Sequence, residues 1–191
     1  MKNENILYIN RADLEKWFDL SSEIFSVDID TLNRLPFDFV LRASAEMDSS
    51  KKQLIPYVLV QNAENKILSY RRCGSEKRLS QKVSVGIGGH VNDGDLKMNL
   101  YETLVCGVCR EIKEEIGIDV DSPQLKLLGL INEERTDVGH VHTGVVFTLA
   151  VNDEMDFDSE IGSPEWIVPG TLDSEKAELW SSLALNLYLG R

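Results

Sequence analysis

The stretch REIKEEIGI, residues 110–118, carries three glutamates close together on what its spacing predicts to be an α-helix. At about 100° per residue, Glu111 and Glu115 lie about 40° apart around the helix axis, and Glu114 lies about 60° to the other side of Glu111. Like charges at this spacing repel one another and destabilise a helix unless something neutralises them. Hard divalent cations such as Mg²⁺ take oxygen ligands of this kind, so the pattern indicates a metal-binding face.

The predicted helix extends upstream of these glutamates. Its apolar residues fall on one stripe at 3.6-residue spacing, namely Leu100, Leu104, Val105, Val108, Ile112 and Ile116. Gly117 follows at the position where a left-handed C-terminal cap is typical. Two N-terminal caps are open: Asn99, which forms a capping-box pattern with Glu102 three residues later, and Asp95.

Two glycines, Gly88 and Gly89, lie upstream of this helix, at the end of the predicted strand VSVGIGGH, residues 83–90. Paired glycines allow the backbone to approach a ligand closely. A backbone carbonyl at this place is also a suitable oxygen ligand for a divalent metal. The glycine pair therefore adds a second element to the predicted metal site.

Together these residues resemble the Nudix box, Gly-x5-Glu-x7-Arg-Glu-U-x-Glu-Glu-x-Gly-U, where U is aliphatic. Residues 110–118 match every specified position of its second half. In the first half, five residues after Gly89 lead to Asp95, where the family usually has Glu, whereas counting back from Arg110 leads to Glu102. We interpret the difference as a seven-residue insertion at the helix start. Whether Asp95 or Glu102 replaces the first glutamate stays open.

The resemblance implies a fold and an activity. The fold is of the α/β class, a Nudix-like α/β/α sandwich around a mixed β-sheet, and the resemblance covers about residues 55–170. The activity is hydrolysis of a phosphoanhydride bond in a nucleoside diphosphate linked to another group, with Mg²⁺ or Mn²⁺ as cofactor. The implied metal ligands and catalytic groups are the Gly89 carbonyl, Glu111, Glu114 and Glu115. The residues with structural roles in the motif are Gly88, Arg110 and Gly117.

A further catalytic glutamate is implied by the same resemblance. Many members of the family place a Glu in a loop before an acidic–Trp pair, where it serves as a metal ligand or a base. Glu160 precedes Glu165 and Trp166 at a comparable spacing, so we expect Glu160 to have this role. Asp158 and Glu165 are the alternatives.

A basic stretch after the predicted hairpin of residues 57–60 and 67–70 is a candidate substrate-binding loop. Arg71, Arg72 and Arg78 are suited to clamp phosphates in a chain that is otherwise acidic. The alternative is a solvated hairpin tip.

Several other residues favour ordinary structural roles. His140 and His142 alternate along a predicted strand and would face the same side, where surface or core positions are favoured over the site. Cys106 and Cys109 form a single CxxC pattern inside the helix, which lacks the second ligand pair of a structural zinc site. Core packing is also favoured for the aromatic residues Trp17, Phe37, Tyr57 and Trp166.

The composition restricts the partners and the compartment. The 191-residue chain carries 32 acidic against 20 basic residues, a net charge of -12 that disfavours nucleic acid and anionic membranes. Its start lacks a secretion signal, and apolar runs such as residues 54–60 are far shorter than the ~20 residues a bilayer requires. With three cysteines, we expect a cytoplasmic protein that acts on a small nucleotide derivative.

The predicted domain organisation is an N-terminal extension, residues 1–50, packed on or beside a Nudix-like domain of residues 51–191. The extension is a candidate homodimer contact. Two other functions are considered: a catalytically silent Nudix-fold sensor of a nucleotide metabolite, and a prenyl diphosphate isomerase. The isomerase requires a cysteine and a glutamate in the site, and Cys73 is its only candidate outside the helix.

Overall fold

A computed structural model of the chain describes residues 4–73, 82–152 and 155–191. Within these ranges the chain forms ten β-strands and six α-helices. The strands are β1 (Asn5–Asn10), β2 (Ile24–Phe25), β3 (Asp38–Leu41), β4 (Lys51–Gln61), β5 (Ile67–Arg72), β6 (Val83–Ser84), β7 (Gly86–Ile87), β8 (Leu125–Ile131), β9 (His142–Ala150) and β10 (Ile161–Ile167). The helices are α1 (Arg11–Leu14), α2 (Ile29–Leu32), α3 (Arg42–Ala45), α4 (Leu100–Ile116), α5 (Asp137–Val141) and α6 (Leu179–Leu189).

All ten strands belong to one mixed sheet, whose main order is β10-β5-β4-β9-β8-β2. The long strand β4 lies at its centre and pairs in parallel with β9 from Gln53 and His142 to Gln61 and Ala150. The other pairings among the described strands are antiparallel. Strand β5 follows β4 through a turn at residues 62–66, which confirms the predicted hairpin.

Helices cover both faces of this sheet. Side chains alternate between the faces of a strand, and Val58 and Val60 of β4 belong to the apolar core that includes the buried stripe of α4. Tyr57 and Leu59 belong to the opposite core, which includes Leu183 of α6. The molecule is therefore an α/β/α sandwich around a mixed sheet, as predicted.

The caps of α4 fix where the glutamates begin and end along the helix. The Asn99 side-chain oxygen accepts a hydrogen bond from the Glu102 backbone N–H at 2.9 Å, so Asn99 is the N-cap. Gly117 ends the helix with a φ of 74°, a left-handed conformation that favours glycine. Asp95 lies instead in a separate 3-10 turn, Asp93–Asp95, which precedes the helix.

The first fifty residues are hydrogen-bonded into the sheet where they are described. Strand β1 pairs with β3 and with β4, and β2 pairs with β8. The division into residues 1–50 and 51–191 stays a prediction. None of the helices in the described part of the chain is sufficiently long and apolar to cross a bilayer.

Two local expectations are wrong. Residues 83–90 form two short strands, because β6 pairs with β5 and β7 pairs with β4 across a break. Trp17 is 44% exposed, so it does not pack in the core. Tyr57 is buried, and the partly buried Phe37 and Trp166 pack against the core beneath α4.

Candidate active site

The last two turns of α4 carry the three glutamates at graded depths. The Glu111 side chain is 16% exposed, and Glu115 is also partly buried. Glu114 is 62% exposed and points toward solvent. This grading follows from the helix geometry, because Glu111 and Glu115 flank the apolar stripe and Glu114 lies farther around the axis.

Gly89 brings the backbone into contact with the Glu111 carboxylate. A Cβ at position 89 would lie 2.5 Å from Oε2 of Glu111, which is too close for any other residue to fit without displacing that carboxylate. A Cβ at Gly88 would overlap the carbonyl oxygen of Pro56. The glycine pair is therefore required by the close approach of this segment to α4 and to β4.

Arg110 connects the helix to the segment before it. Its Nη2 donates to Asp95 Oδ2 at 2.9 Å and to the His90 carbonyl oxygen at 2.9 Å, and its Nη1 donates to Glu111 Oε1 at 2.6 Å. Asp95 is nearly fully buried, whereas Glu102 is exposed. Asp95, and not Glu102, therefore pairs with Arg110, and which of the two replaces the first glutamate of the box stays a prediction.

The carboxylates of Glu111 and Glu115 are incompletely neutralised by the residues that the structure describes. Burial raises the pKa of Glu115 to about 7, and the negative charges of Glu111, Glu160 and Asp158 add to this, against the opposing charge of Arg72. Burial also raises the pKa of Glu111, although the hydrogen bond from Arg110 opposes it. The interactions found among the described residues therefore do not balance the negative charge of the cluster.

The donor set fits a hard divalent cation. Carboxylate and backbone carbonyl oxygens are suitable ligands for Mg²⁺, and the Glu111 carboxylate lies against the Gly89 segment that would supply the carbonyl. In the described ranges, no three His, Cys, Asp or Glu side chains already converge on one point. Glu111 is turned toward Arg110, so a bound cation would draw the carboxylates together.

The acidic loop after β9 is anchored to the end of α4. The Asp158 backbone N–H donates to the Glu115 carbonyl oxygen at 2.8 Å, and the Glu160 N–H donates to Asp158 Oδ1 at 2.9 Å. This anchoring brings Asp158 and Glu160 into the electrostatic environment of Glu115, and both are exposed. Glu165 lies farther along, on β10 opposite Ser69.

Arg72, one of the three arginines proposed to bind substrate, lies near the glutamates. Its positive charge acts on Glu115, its guanidinium lies 6.0 Å from the Tyr70 ring centroid, and its Nε lies 3.3 Å from Glu178 Oε1. Arg71 precedes it on β5 and is exposed. Arg78 lies outside the described residues.

The two histidines are arranged differently from the prediction. His140 lies in α5, because the Thr136 hydroxyl caps a short helix there, and its Nδ1 is 3.0 Å from Glu134. His142 begins β9, so the two do not alternate along one strand. The His142 ring lies 5.6 Å from that of His90, the residue directly after Gly89. Sequence reasoning did not single out His90, although its place after the glycine pair was a usable signal.

The cysteines have separate surroundings. Cys106 and Cys109 are half-buried in α4, and Cys109 packs against the core, as predicted. Cys73 is exposed, its Sγ lies against Gly162, and its backbone N–H donates to the Glu160 carbonyl oxygen at 2.8 Å.

Comparison with known proteins gives consistent results. No family model matches the chain. Protein YmaB of Bacillus subtilis (strain 168) is 31% identical over 156 residues, which cover 76% of this chain and 75% of YmaB. The crystal structure of Tm1382, a candidate Nudix hydrolase, is 29% identical, covers 98% of this chain and 99% of its own, and superposes with a TM-score of 0.82.

More distant structures share the fold. DR0079 from Deinococcus radiodurans is 20% identical, covers 88% of this chain and 98% of its own, and gives a TM-score of 0.56. A MutT protein from Methanosarcina mazei Go1 is 22% identical, covers 72% of this chain and 93% of its own, and gives 0.53. At these identities the likeness concerns the arrangement of strands and helices.

Proposed function

Because the chain belongs to the Nudix hydrolase family, we propose that it uses Mg²⁺ or Mn²⁺ to hydrolyse a phosphoanhydride bond in a nucleoside diphosphate linked to another group. Hydrolysis of a pyrophosphate bond is the general activity of the family. The metal requirement, the nucleoside and the roles of individual residues are the content of the proposal.

The observation that carries the proposal is the pair of partly buried carboxylates Glu111 and Glu115, which the described contacts leave under-neutralised, with Glu111 in contact with the Gly89 backbone. Burying carboxylates side by side without enough positive charge destabilises a protein. A site of this kind gains from a divalent cation, which supplies the missing charge and accepts oxygen ligands. Strongly perturbed carboxyl groups in such surroundings are typical of functional sites.

Glu111, Glu114, Glu115 and the Gly89 carbonyl would hold the cation. When bound, such a cation neutralises pyrophosphate charge and lowers the pKa of a coordinated water. Arg110 would not touch the substrate, since its donors are taken by Asp95, Glu111 and the His90 carbonyl; it would hold Glu111 and the Gly89 segment in place.

The remaining steps would belong to the loop and to β5. Glu160 would orient or deprotonate the attacking water, because the loop from Asp158 onward is anchored beside Glu115. Arg71, Arg72 and Arg78 would bind the phosphates, and Arg72 already lies close enough to Glu115 to influence its charge. The attacking water adds to phosphorus and the anhydride oxygen leaves with the other phosphate.

A small nucleotide derivative in the cytoplasm is the substrate we infer, since the net charge of -12 opposes binding to a long polyanion. In the described ranges, positive charge at the site includes Arg110, which contacts Glu111, and Arg72 of β5, which acts on Glu115.

The test is formation of a nucleoside monophosphate and the second phosphate monoester from a panel of nucleoside diphosphate derivatives with ~5 mM Mg²⁺ or Mn²⁺, a level that suits weak carboxylate sites. We expect metal-dependent cleavage that falls about 10²–10⁴-fold in Glu115→Gln, the range for loss of an acid–base or metal-bound group. Glu102→Gln is the matched control, an exposed glutamate in the first turn of the same helix, and it should keep full activity.

Full activity in Glu115→Gln, or cleavage without a divalent metal, would contradict the proposal. Tight binding of an intact nucleotide without cleavage would instead support the sensor function. Loss of an isomerase activity on a prenyl diphosphate in Cys73→Ser would support the third function.

A further inference from the structure

One polar group lies close to the candidate metal site and has no role in the mechanism above. It consists of Gln53 on β4, His90 after the glycine pair and His142 on β9, which we call the histidine cluster. His90 Nε2 lies 3.0 Å from Gln53 Oε1, and the His90 and His142 rings lie 5.6 Å apart at an interplanar angle of 70°. The cluster thus joins three segments that are distant in sequence.

The histidine cluster is adjacent to the Gly89 carbonyl. His90 is the next residue, and its own carbonyl oxygen is held by Arg110 Nη2 at 2.9 Å. The Gln53 and His142 side chains lie on the face of the sheet that carries Tyr57, opposite to α4, so a substrate whose pyrophosphate lay at Gly89 and Glu111 would extend one of its two ends past the Gly89–His90 segment toward that face.

The sheet face at this cluster lies beyond the cover of α6. In the register of the sheet, Gln53 is opposite Tyr8 on one side and His142 on the other, so these three side chains share a face. Tyr57 lies on the same face two pleats away, and there its hydroxyl is bonded to Ser181 of α6 at 2.8 Å. Tyr8, His90 and His142 stay partly exposed, which leaves a surface that a ligand can reach.

Gln53 carries an unpaired donor beneath this surface. The residue is fully buried, and its amide nitrogen Nε2 has no hydrogen-bond partner within the part of the chain that the structure describes. A buried amide donor without an acceptor costs free energy, and such groups are rare in native proteins. An acceptor atom supplied by a ligand removes that cost, once the half-buried histidine rings make room for it.

His142 offers the complementary acceptor. Its Nδ1 lies 2.7 Å from the Val138 carbonyl oxygen, and because a carbonyl can only accept, Nδ1 carries the proton. Burial lowers the pKa of His142, so its ring is neutral near pH 7 and Nε2 keeps a free lone pair. The nearby charge of Arg42 is balanced by Glu46 at 2.8 Å and Glu4 at 3.1 Å.

We propose that the histidine cluster is the specificity-determining subsite for the uncharged, hydrogen-bonding end of the substrate, the base or the sugar of the nucleoside. The cluster pairs a donor on Gln53 with an acceptor on His142, and it brings no net positive charge that would favour phosphate. A base edge or a sugar hydroxyl group presents an acceptor and a donor side by side, which matches this pair. The inference rests on the proposed function, because it assumes that a nucleotide binds beside Gly89.

The experiment measures binding of products, so it does not depend on turnover. Isothermal titration with ~5 mM Mg²⁺ would compare four nucleoside 5′-monophosphates, ribose 5-phosphate and inorganic phosphate. We expect His142→Phe and Gln53→Met to weaken at least one monophosphate about tenfold, the loss of one hydrogen bond, with phosphate binding unchanged. His140→Phe is the matched control, a histidine two residues away that is paired with Glu134 outside the cluster.

The probes distinguish the two sources of the recognised group. If ribose 5-phosphate loses the same factor as the monophosphates, the sugar is recognised; if it is unaffected, the base is recognised. Either result supports the inference. Equal binding of every probe by wild type and both variants would overturn it, as would wild type that binds none of the monophosphates.

Two further readings separate a ligand role from a merely structural one. The thermal midpoint of Gln53→Met should change little, because removal of the unpaired donor offsets loss of the bond to His90, whereas a structural residue would lower it. The ¹⁵N resonance of His142 Nε2 should shift on addition of the bound monophosphate. Weakened monophosphate binding in a protein that cleaves no member of the substrate panel would refute the proposed hydrolysis while the subsite stands.

Discussion

Two clusters of charged groups in this molecule differ in how completely their charges are paired by the described residues. In the first, which we call the lysine cluster, the fully buried Lys52 donates to Asn132 Oδ1 at 2.9 Å and to the Gly139 carbonyl oxygen at 2.6 Å. Its Nζ also lies 2.6 Å from Glu134 Oε1, and Arg11 contacts both oxygens of that carboxylate. Every charge in this cluster meets an opposite charge or several dipoles.

The second, the carboxylate cluster of Glu111, Glu115, Asp158 and Glu160, is the reverse case. Burial alone would raise the pKa of Glu134, but hydrogen bonds from Arg11, Lys52 and Asn132 lower it to about 2. Burial raises the pKa of Glu115 to about 7, and its acidic neighbours act in the same direction. The pKa of a glutamate side chain is thus lowered in one cluster, at Glu134, and raised in the other, at Glu115.

The difference indicates what each cluster does. A fully satisfied network stabilises one arrangement of the strands it joins, and it leaves nothing for a ligand to bind. Surplus negative charge in a cluster lowers the stability of the metal-free protein, and binding of a cation restores that stability. The predictions below test this contrast.

The largest effect on stability should come from the lysine cluster. Lys52→Met leaves Glu134 and the surrounding carbonyl groups without their buried cation, and we expect a loss of about 3 kcal/mol in the free energy of unfolding. Urea denaturation followed by circular dichroism measures it, and hydrolysis by the folded protein should change little. A loss below about 1 kcal/mol would show that water or Arg11 satisfies these groups equally well.

An intermediate effect is expected at Arg110, which pairs with the buried Asp95 and also with Glu111 of the carboxylate cluster. Arg110→Lys keeps the charge but cannot reach Asp95, Glu111 and the His90 carbonyl at once, because an ammonium lacks the planar fork of a guanidinium. We expect metal affinity and activity to fall about 10–100-fold, the range for groups that orient metal ligands. Mn²⁺ titration measures the affinity. Arg135→Lys, an exposed arginine paired only with Glu23 among the described contacts, is the control.

The smallest effect is a pH dependence of stability in the metal-free protein. Glu115 has a pKa of about 7 in the folded chain and 4.5 as the ordinary value, so between these pH values the folded state binds more protons than the unfolded state. Its contribution to stability is therefore present below about pH 4.5 and is lost as the pH rises through about 7. His90 and His142, whose pKa values are lowered by burial, act in the opposite direction.

Comparison with Glu115→Gln isolates that contribution. Between about pH 5 and pH 8, the thermal midpoint of the wild type should fall by about 2–4 °C more than that of the variant, on the order of 1 kcal/mol for a chain of this size. Saturating Mg²⁺ should remove the difference. Parallel curves without metal would mean that Glu115 is already ionised at pH 5.

The elements that were predicted well are those set by neighbours in sequence. The apolar stripe, the Asn99 cap and the Gly117 cap act within a few residues of one another, and α4 follows them closely. The hairpin between β4 and β5 depends on a short polar turn. Local spacing and capping chemistry are sufficient for such elements.

The errors concern residues whose state depends on distant partners. Residues 83–90 have the composition of one strand, but their two halves pair with different neighbours. Trp17 has the side chain of a core residue and stays exposed on a segment between α1 and β2. The pairing of Arg110 with Asp95, which sequence spacing did not indicate, depends on a contact across fifteen residues.

The sequence by itself determined which chemical groups the site can use, because helix periodicity and residue type are local properties. These groups are three glutamates on one helical face, a glycine pair upstream and arginines nearby in the sequence. Only the tertiary structure decided which charges are paired. It buried Glu115 beside Glu111 and the acidic loop, satisfied Lys52 with Glu134, and brought Gln53, His90 and His142 together. Burial and pairing depend on strand register and on contacts between residues far apart in the chain, and these are properties of the folded molecule.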